Sequence, residues 1–325
     1  MTKVQCTLCP RECLLDIGQR GDCRTRMNIN GKLQTLVYGK PCSVHVDPIE
    51  KKPLFHYLPG TGSFSIATAG CNLHCMYCQN WEISQREPEN TRNIDLAPEE
   101  VVDQAKAANC RTIAYTYSDP VIFYEYAADC GRLAHKNGLL NIWVTAGYIK
   151  PEPLDEAITF VDAANIDLKG STDKFYRTVC KDASIFPVLH TIKTMKERGV
   201  WVEITNLVVP TYNDTREDIA KLCDLVIENV GGEVPLHFSR FWPVYQLKNL
   251  PPTPEEVLTM ARNIAMSKGI HYAYVGNVPG HEGNNTYCSV CKKLVIGRRG
   301  YMILEYSIVD GKCKFCGNSI PGRWK

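Results

Sequence analysis

The chain has 325 residues, 44% of them hydrophobic, with 37 Lys plus Arg against 35 Asp plus Glu and a formal net charge of +2. That length exceeds one average domain and suits one α/β barrel with small appendages. The balanced charge gives no single-sign field for nucleic acid or an anionic membrane surface, no uninterrupted apolar run is long enough to span a bilayer, and the first residues lack the apolar stretch of a signal peptide, so the expected location is the cytoplasm.

Taken in chain order, residues 1–62 are rich in Cys, Gly and turn formers. They carry Cys6-x2-Cys9-Pro-x2-Cys13, followed by Cys23. In a reducing compartment, clustered cysteines read as metal ligands rather than disulfides. Four thiolates at this spacing suit zinc or a second iron–sulfur cluster, and spacing alone leaves both open.

Residues 63–280 alternate apolar, β-branched runs with helical patterns. Strands are predicted at 63–69, 112–117, 141–145, 165–168, 200–209 and 235–239, with 271–275 as a seventh candidate. Between them, a helix opens at Ala97-Pro98-Glu99-Glu100, and others are predicted at 121–137, 185–198, 214–229 and 254–267. Asn137-Gly138 and Arg198-Gly199 look like helix stops. This alternation implies a parallel sheet with right-handed crossovers, and functional groups at the C-terminal ends of its strands.

Directly after the first strand comes Cys71-x3-Cys75-x2-Cys78. Three thiolates in one loop can hold three corners of a cubane cluster. The missing fourth leaves one iron open to a small chelating molecule. A zinc site completed by His74 is the competing reading, but structural zinc favours paired C-x2-C units.

Residues 281–325 return to paired cysteines: Cys288-x2-Cys291 and Cys313-x2-Cys316, flanking a short β-like segment. Two such knuckles predict a zinc ribbon or rubredoxin-like site with a structural job. The remaining cysteines, Cys42, Cys110, Cys130, Cys180 and Cys223, are scattered and read as small buried hydrophobes.

The triplet, with Tyr77 in the aromatic place of C-x3-C-x-aromatic-C, resembles the hallmark of the radical S-adenosylmethionine (SAM) superfamily. The resemblance implies a partial TIM-type (β/α)6 barrel over 63–280, a [4Fe-4S] cluster on Cys71, Cys75 and Cys78, and SAM chelated on the open iron. One-electron cleavage would give methionine and a 5′-deoxyadenosyl radical that abstracts hydrogen from a substrate. The strand ends resemble those of pyruvate formate-lyase activating enzymes. Ser118 and Asp119, in Tyr115–Pro120, stand where many members carry Gly-Gly-Glu-Pro against the SAM amino group. Thr145 ends the third strand, and Asp167 with Lys169 forms the D-x-K pair of the fourth. His237 matches a SAM-contacting histidine. Thr205 departs from the pattern, standing where activating enzymes carry Arg.

Nearly the whole chain resembles the radical SAM component of the AmmeMemoRadiSam system. That implies Memo-like and Ammecr-like partner proteins, an electron donor such as flavodoxin or ferredoxin, and a protein or peptide substrate. Two readings compete with it: radical modification of a small molecule, and a non-catalytic, metal-stabilised binding or redox-sensing protein.

Overall fold

Eight strands form one sheet in a computed structural model that describes residues 3–325. They are β1 (Ser43–Pro48), β2 (Gly62–Ala67), β3 (Thr112–Tyr115), β4 (Leu140–Thr145), β5 (Ala163–Asp167), β6 (Trp201–Val208), β7 (Leu236–Arg240) and β8 (Ala273–Gly276). Neighbours in sequence are neighbours in the sheet, from β1 at one edge to β8 at the other. β2 to β8 are parallel, and β1 pairs antiparallel with β2. The predicted barrel is therefore present as an open one. The seventh candidate strand is a full member, and β1 is an edge strand with no counterpart in the sequence reading.

The crossovers are helical. They include α1 (Pro98–Ala107), α2 (Tyr124–Lys136), α3 (Pro151–Ala157), α4 (Asp173–Val179), α5 (Phe186–Glu197), α6 (Arg216–Val230) and α7 (Glu255–Lys268). Glu100 reaches back to the Ala97 N–H at 2.7 Å and fixes the start of α1. Thr172 and Thr215 cap α4 and α6 through their side chains. Gly138 and Gly199, both at positive φ, follow α2 and α5 as the sequence predicts.

Strand alternation sorts the core into two sides. Ile113, Tyr115, Trp143, Ala164, Ile166, Val202 and Ile204 face the helices in the main apolar cluster. Ala114, Ile142 and Ala163 face the barrel interior, where Ile49, Leu54, Tyr57 and Leu58 plug its lower end. Glu203, on the interior face of β6, is fully buried. It accepts hydrogen bonds from the backbone N–H groups of Phe55 (3.0 Å) and His56 (2.8 Å), which anchors the plug.

The cysteine-rich ends pack on this frame. Near the N-terminus, Val4–Gln5 pairs with Leu14–Leu15, and Arg26–Ile29 with Lys32–Thr35. The C-terminal segment forms a three-stranded sheet of Thr286–Tyr287, Leu294–Arg299 and Met302–Tyr306, then a two-stranded one of Ile308–Val309 and Lys312–Cys313. Its apolar side meets Phe55, Tyr272 and Tyr274. The last residues return to the plug. His56 Nδ1 lies 2.6 Å from the Pro321 carbonyl and Arg323 N–H donates to the His56 carbonyl. A Cβ at Gly322 would lie 2.6 Å from that same carbonyl, so the close approach requires glycine there.

Burial holds His56 down at about 4, below its usual range, so it is neutral in the folded chain. The Glu203 carboxyl is likewise held below the usual carboxylate range: burial raises it, and His237, His56 and the Phe55 N–H more than reverse this. For both groups the unfolded chain binds more protons than the folded chain as pH falls. Stability present above pH ~6.5 should therefore decline between about 6.5 and 4, by roughly 3 kcal/mol for His56 alone. Thermal unfolding midpoints measured across that window should drop steadily, whereas a flat profile would contradict this account of the plug.

Candidate active site

The site begins with the loop after β2. Gly70 takes φ +89°, and a Cβ there would lie 2.4 Å from the Cys23 carbonyl oxygen and 2.5 Å from the Thr25 methyl. Glycine is thus required twice over, by conformation and by the close approach of the N-terminal segment. Replacing Gly70 with alanine should cost at least about 2 kcal/mol in denaturant unfolding and lower iron retention, because the loop carrying Cys71 must shift.

From there the loop is tied on several sides. Met76 N–H donates to the Val179 carbonyl at 2.9 Å, and Gln246 N–H to the Met76 carbonyl at 3.0 Å. Asn72 donates to the Tyr148 carbonyl at 2.8 Å. His74 is engaged elsewhere, with Nε2 2.8 Å from Asp22 and Nδ1 2.9 Å from Gln85, so it serves as a strut to the N-terminal segment.

Cys71, Cys75 and Cys78 open into a cavity of about 740 Å³ at the C-terminal ends of the strands. Tyr77, Ser118, Asp119, Thr145, Asp167, Lys169 and His237, all singled out from the sequence, line the same cavity. Register explains part of this convergence. Asp167 is opposite Thr205, and Thr205 opposite His237, so three neighbouring strands place them in one row.

Asp119 caps the turn after β3, accepting from Val121 N–H at 3.0 Å. It also accepts from the Thr145 hydroxyl (3.1 Å) and from Ala146 N–H (2.7 Å), clamping the ends of β3 and β4 together. Burial pushes its carboxyl up, against these donors. Lys169 Nζ lies 2.8 Å from Asp167. Burial alone would depress this ammonium, but the Asp167 carboxylate beside it holds it well above its usual range. The backbone beneath is fixed by Asn206 and Asn213, which donate to the carbonyls of Leu168 and Lys169. His237 Nε2 lies 2.7 Å from Glu203.

Among the residues lining the cavity, three buried hydroxyls have no hydrogen-bond partner: Tyr77 Oη, Ser118 Oγ and Thr205 Oγ1. Unsatisfied buried polar groups are costly, and here they belong to residues that border space a ligand can fill. The three thiols are held protonated on their own. Burial, with Asp119 beside it, keeps Cys71 well above the usual range, and contact with Cys180 plus burial does the same for Cys75. Burial also raises Cys78.

The Radical SAM superfamily family model matches residues 65–226, which run from β2 to α6 and include all three loop cysteines. The chain belongs to the radical SAM superfamily. A protein of Methanocaldococcus jannaschii, MJ0808, is 49% identical over 320 residues, covering 98% of this chain and 95% of that one. The pyruvate formate-lyase-activating enzyme of Clostridium pasteurianum is 26% identical over 173 residues, covering 50% of this chain and 68% of that enzyme. A crystal structure of a radical SAM methyltransferase from Sphaerobacter thermophilus has a TM-score of 0.54 at 15% identity, covering 73% of this chain and 71% of that one, a likeness of fold. Membership of the superfamily implies a [4Fe-4S] cluster and SAM, and the cavity offers the chemistry for both: three thiols in one loop beside unpartnered hydroxyls, an ammonium and a carboxylate.

Several residues in or behind the cavity wall escaped sequence reading in this radical SAM chain. Thr205 entered only as a departure, yet it lines the cavity. Cys180 is fully buried, as the scattered cysteines were expected to be, but its thiol lies against Cys75. Lys52 is buried beside Asp47 (2.7 Å) and stacks its ammonium 4.4 Å from the Tyr117 ring centre. Burial lowers Lys52 to about 8. No local motif marks these positions. Among the scattered cysteines, Cys110, Cys130 and Cys223 are also buried, and Cys42 is partly exposed.

The C-terminal cysteines form a separate site. Cys288 and Cys316 sulfurs are 3.6 Å apart, and Cys291 and Cys313 sulfurs 3.7 Å apart. A tetrahedron with metal–sulfur bonds of about 2.3 Å has sulfur–sulfur edges of about 3.8 Å. Among the described residues, these four alone bring all their ligand atoms within 4.8 Å of one another. Burial raises Cys288, but the N–H groups of Cys291 and Val290 and the neighbouring thiols bring it down to about 7. Such a thiol gives up its proton readily to a metal. No helix of the described residues is long and apolar enough to cross a membrane.

Proposed function

We propose that the chain is a radical SAM enzyme in which Cys71, Cys75 and Cys78 hold a [4Fe-4S] cluster and SAM occupies the cavity beside it. When bound, the two cofactors supply one-electron reductive cleavage of the SAM sulfonium and a 5′-deoxyadenosyl radical that abstracts a substrate hydrogen. The chain's own groups then bind, orient and exclude water. Ser118 and Thr205 offer hydroxyl partners to the polar atoms of SAM. Asp167 and Lys169 hold opposite charges at the strand end, suited to the amino and carboxylate groups of a methionine moiety. Asp119 keeps the ends of β3 and β4 in place, and Glu203 orients the His237 ring.

The observation that carries this reading is the set of unpartnered, buried hydroxyls on Tyr77, Ser118 and Thr205, three residues lining the cavity that Cys71, Cys75 and Cys78 also line. Its test is SAM binding to reconstituted protein. Ser118→Ala and Thr205→Val should each weaken SAM affinity about tenfold with iron content unchanged. Unchanged affinity in both variants would remove SAM from this place.

Kinship with the pyruvate formate-lyase-activating enzyme supports a protein or peptide substrate and a flavodoxin- or ferredoxin-type donor. Memo-like and Ammecr-like proteins are the partners to test first. Deuterium transfer from a labelled peptide into 5′-deoxyadenosine is the check on substrate class. We further assign zinc to the C-terminal thiolates, in a structural role that holds the ribbon against Tyr272 and Tyr274.

A further inference from the structure

We propose that Cys6, Cys9, Cys13 and Cys23 hold a second [4Fe-4S] cluster rather than zinc. Three features of the N-terminal segment carry this, and the first is the spread of the sulfurs. The four cysteines wall one small cavity together with Arg26. Yet among the described residues no three of their ligand atoms lie within 4.8 Å of one another, whereas the four C-terminal sulfurs all do. A single tetrahedral ion needs edges of about 3.8 Å. Four thiolates on the corners of a cubane stand roughly 6 Å apart. The same chain thus contains a single-ion arrangement at one end and a wider one at the other, and the wider spread is shared by the Cys71, Cys75 and Cys78 triplet.

The second feature is an unpartnered donor on a buried cation. Arg26 is 5% exposed, and its terminal nitrogens bind Glu125 at 2.8 and 2.5 Å. Its Nε has no partner, although the residue lines the cavity. A buried N–H donor beside four thiolates suits the net negative charge of a thiolate-ligated cluster and its sulfur acceptors.

The third is the wall itself. Cys6, Cys9 and Cys23 are buried and only Cys13 is partly exposed. Asp22 N–H donates to the Cys13 sulfur at 3.4 Å, and the Thr25 hydroxyl lies 3.2 Å from that of Cys23. The floor includes Asn72, next to Cys71, and the Cys23 carbonyl packs on Gly70. The second cluster would therefore adjoin the triplet loop directly.

The comparison with the triplet rests on the proposed function, so the test separates the two. Full-length protein is reconstituted anaerobically with iron and sulfide, and metals are counted in wild type, in a Cys71→Ala, Cys75→Ala, Cys78→Ala triple variant and in a Cys6→Ser, Cys13→Ser double variant. Wild type should hold about eight irons per chain and the triple variant about four, with a reduced-cluster paramagnetic signal indifferent to SAM. The double variant should lose about four and keep the SAM-responsive signal. A triple variant with two zincs and no cubane iron, or with one rubredoxin-type iron at the N-terminus, overturns this inference. A triple variant that keeps all the wild-type iron instead overturns the triplet assignment.

Discussion

Cys78→Ala should reduce 5′-deoxyadenosine formation to background in reconstituted, reduced protein supplied with SAM. The Cys78 sulfur opens into the 740 Å³ cavity and lies 3.0 Å from the Ser84 hydroxyl, so it is already oriented by a neighbour. Two thiolates cannot hold a four-iron cluster in place of three, and alanine offers no substitute donor. The loss should be specific. The C-terminal sulfurs, with their own 3.6 and 3.7 Å pairs, form a separate site, and their metal content should be unchanged. Cys223→Ala is the fitting control, because Cys223 is buried among apolar residues of α6 and should leave turnover intact. Normal turnover in Cys78→Ala would remove the triplet from the chemistry.

The second large effect is expected at the other end of the chain. Cys288→Ala should lower the unfolding free energy by at least about 4 kcal/mol, read from denaturant midpoints at constant metal concentration. Cys288 is fully buried in the cluster formed with Phe55, Tyr272, Tyr274, Val295 and Ile296. A ribbon this small would gain most of its stability from a metal held by its four cysteines, and releasing it would uncover that apolar wall. Arg298 would follow. It is buried over the Phe55 ring at 4.1 Å and donates to the Phe55 carbonyl at 2.8 Å. Turnover should also suffer. The Phe55 and His56 N–H groups bind Glu203, and Glu203 holds His237 at the cavity. Cys316→Ala should cost less, since Cys316 is the exposed ligand.

The barrel was legible because its strands are covered on both faces and therefore read as apolar runs. Seven of the eight sheet strands were placed within a few residues. β1 escaped because it is an edge strand whose residues are mostly half-exposed, so Val44, His45 and Val46 show no core signature. α3 and α4 escaped because each has only seven residues. Helices that short draw their stability from packing, through Leu154 and Ala157 in one and Phe175, Tyr176 and Val179 in the other.

The cavity divides in the same way. Ser118, Asp119, Thr145, Asp167 and Lys169 stand at the C-terminal ends of their strands, where a parallel sheet gathers its chemistry, and resemblance to the activating enzymes singled them out together with His237. Cys180 and Lys52 could not be named from the sequence, because they reach Cys75 and Tyr117 through tertiary packing across long stretches of chain. The four N-terminal cysteines sit between these cases. Their presence was plain from spacing, while the distances among their sulfurs exist only in the folded molecule.

The most direct test of the central claim is electron paramagnetic resonance of the reduced, reconstituted protein with and without SAM. If Cys71, Cys75 and Cys78 hold the cluster and SAM occupies the cavity that Ser118 and Thr205 line, SAM alters the cluster's signal, and Ser118→Ala with Thr205→Val reduces the fraction altered at limiting SAM. Identical wild-type spectra with and without saturating SAM would contradict the account.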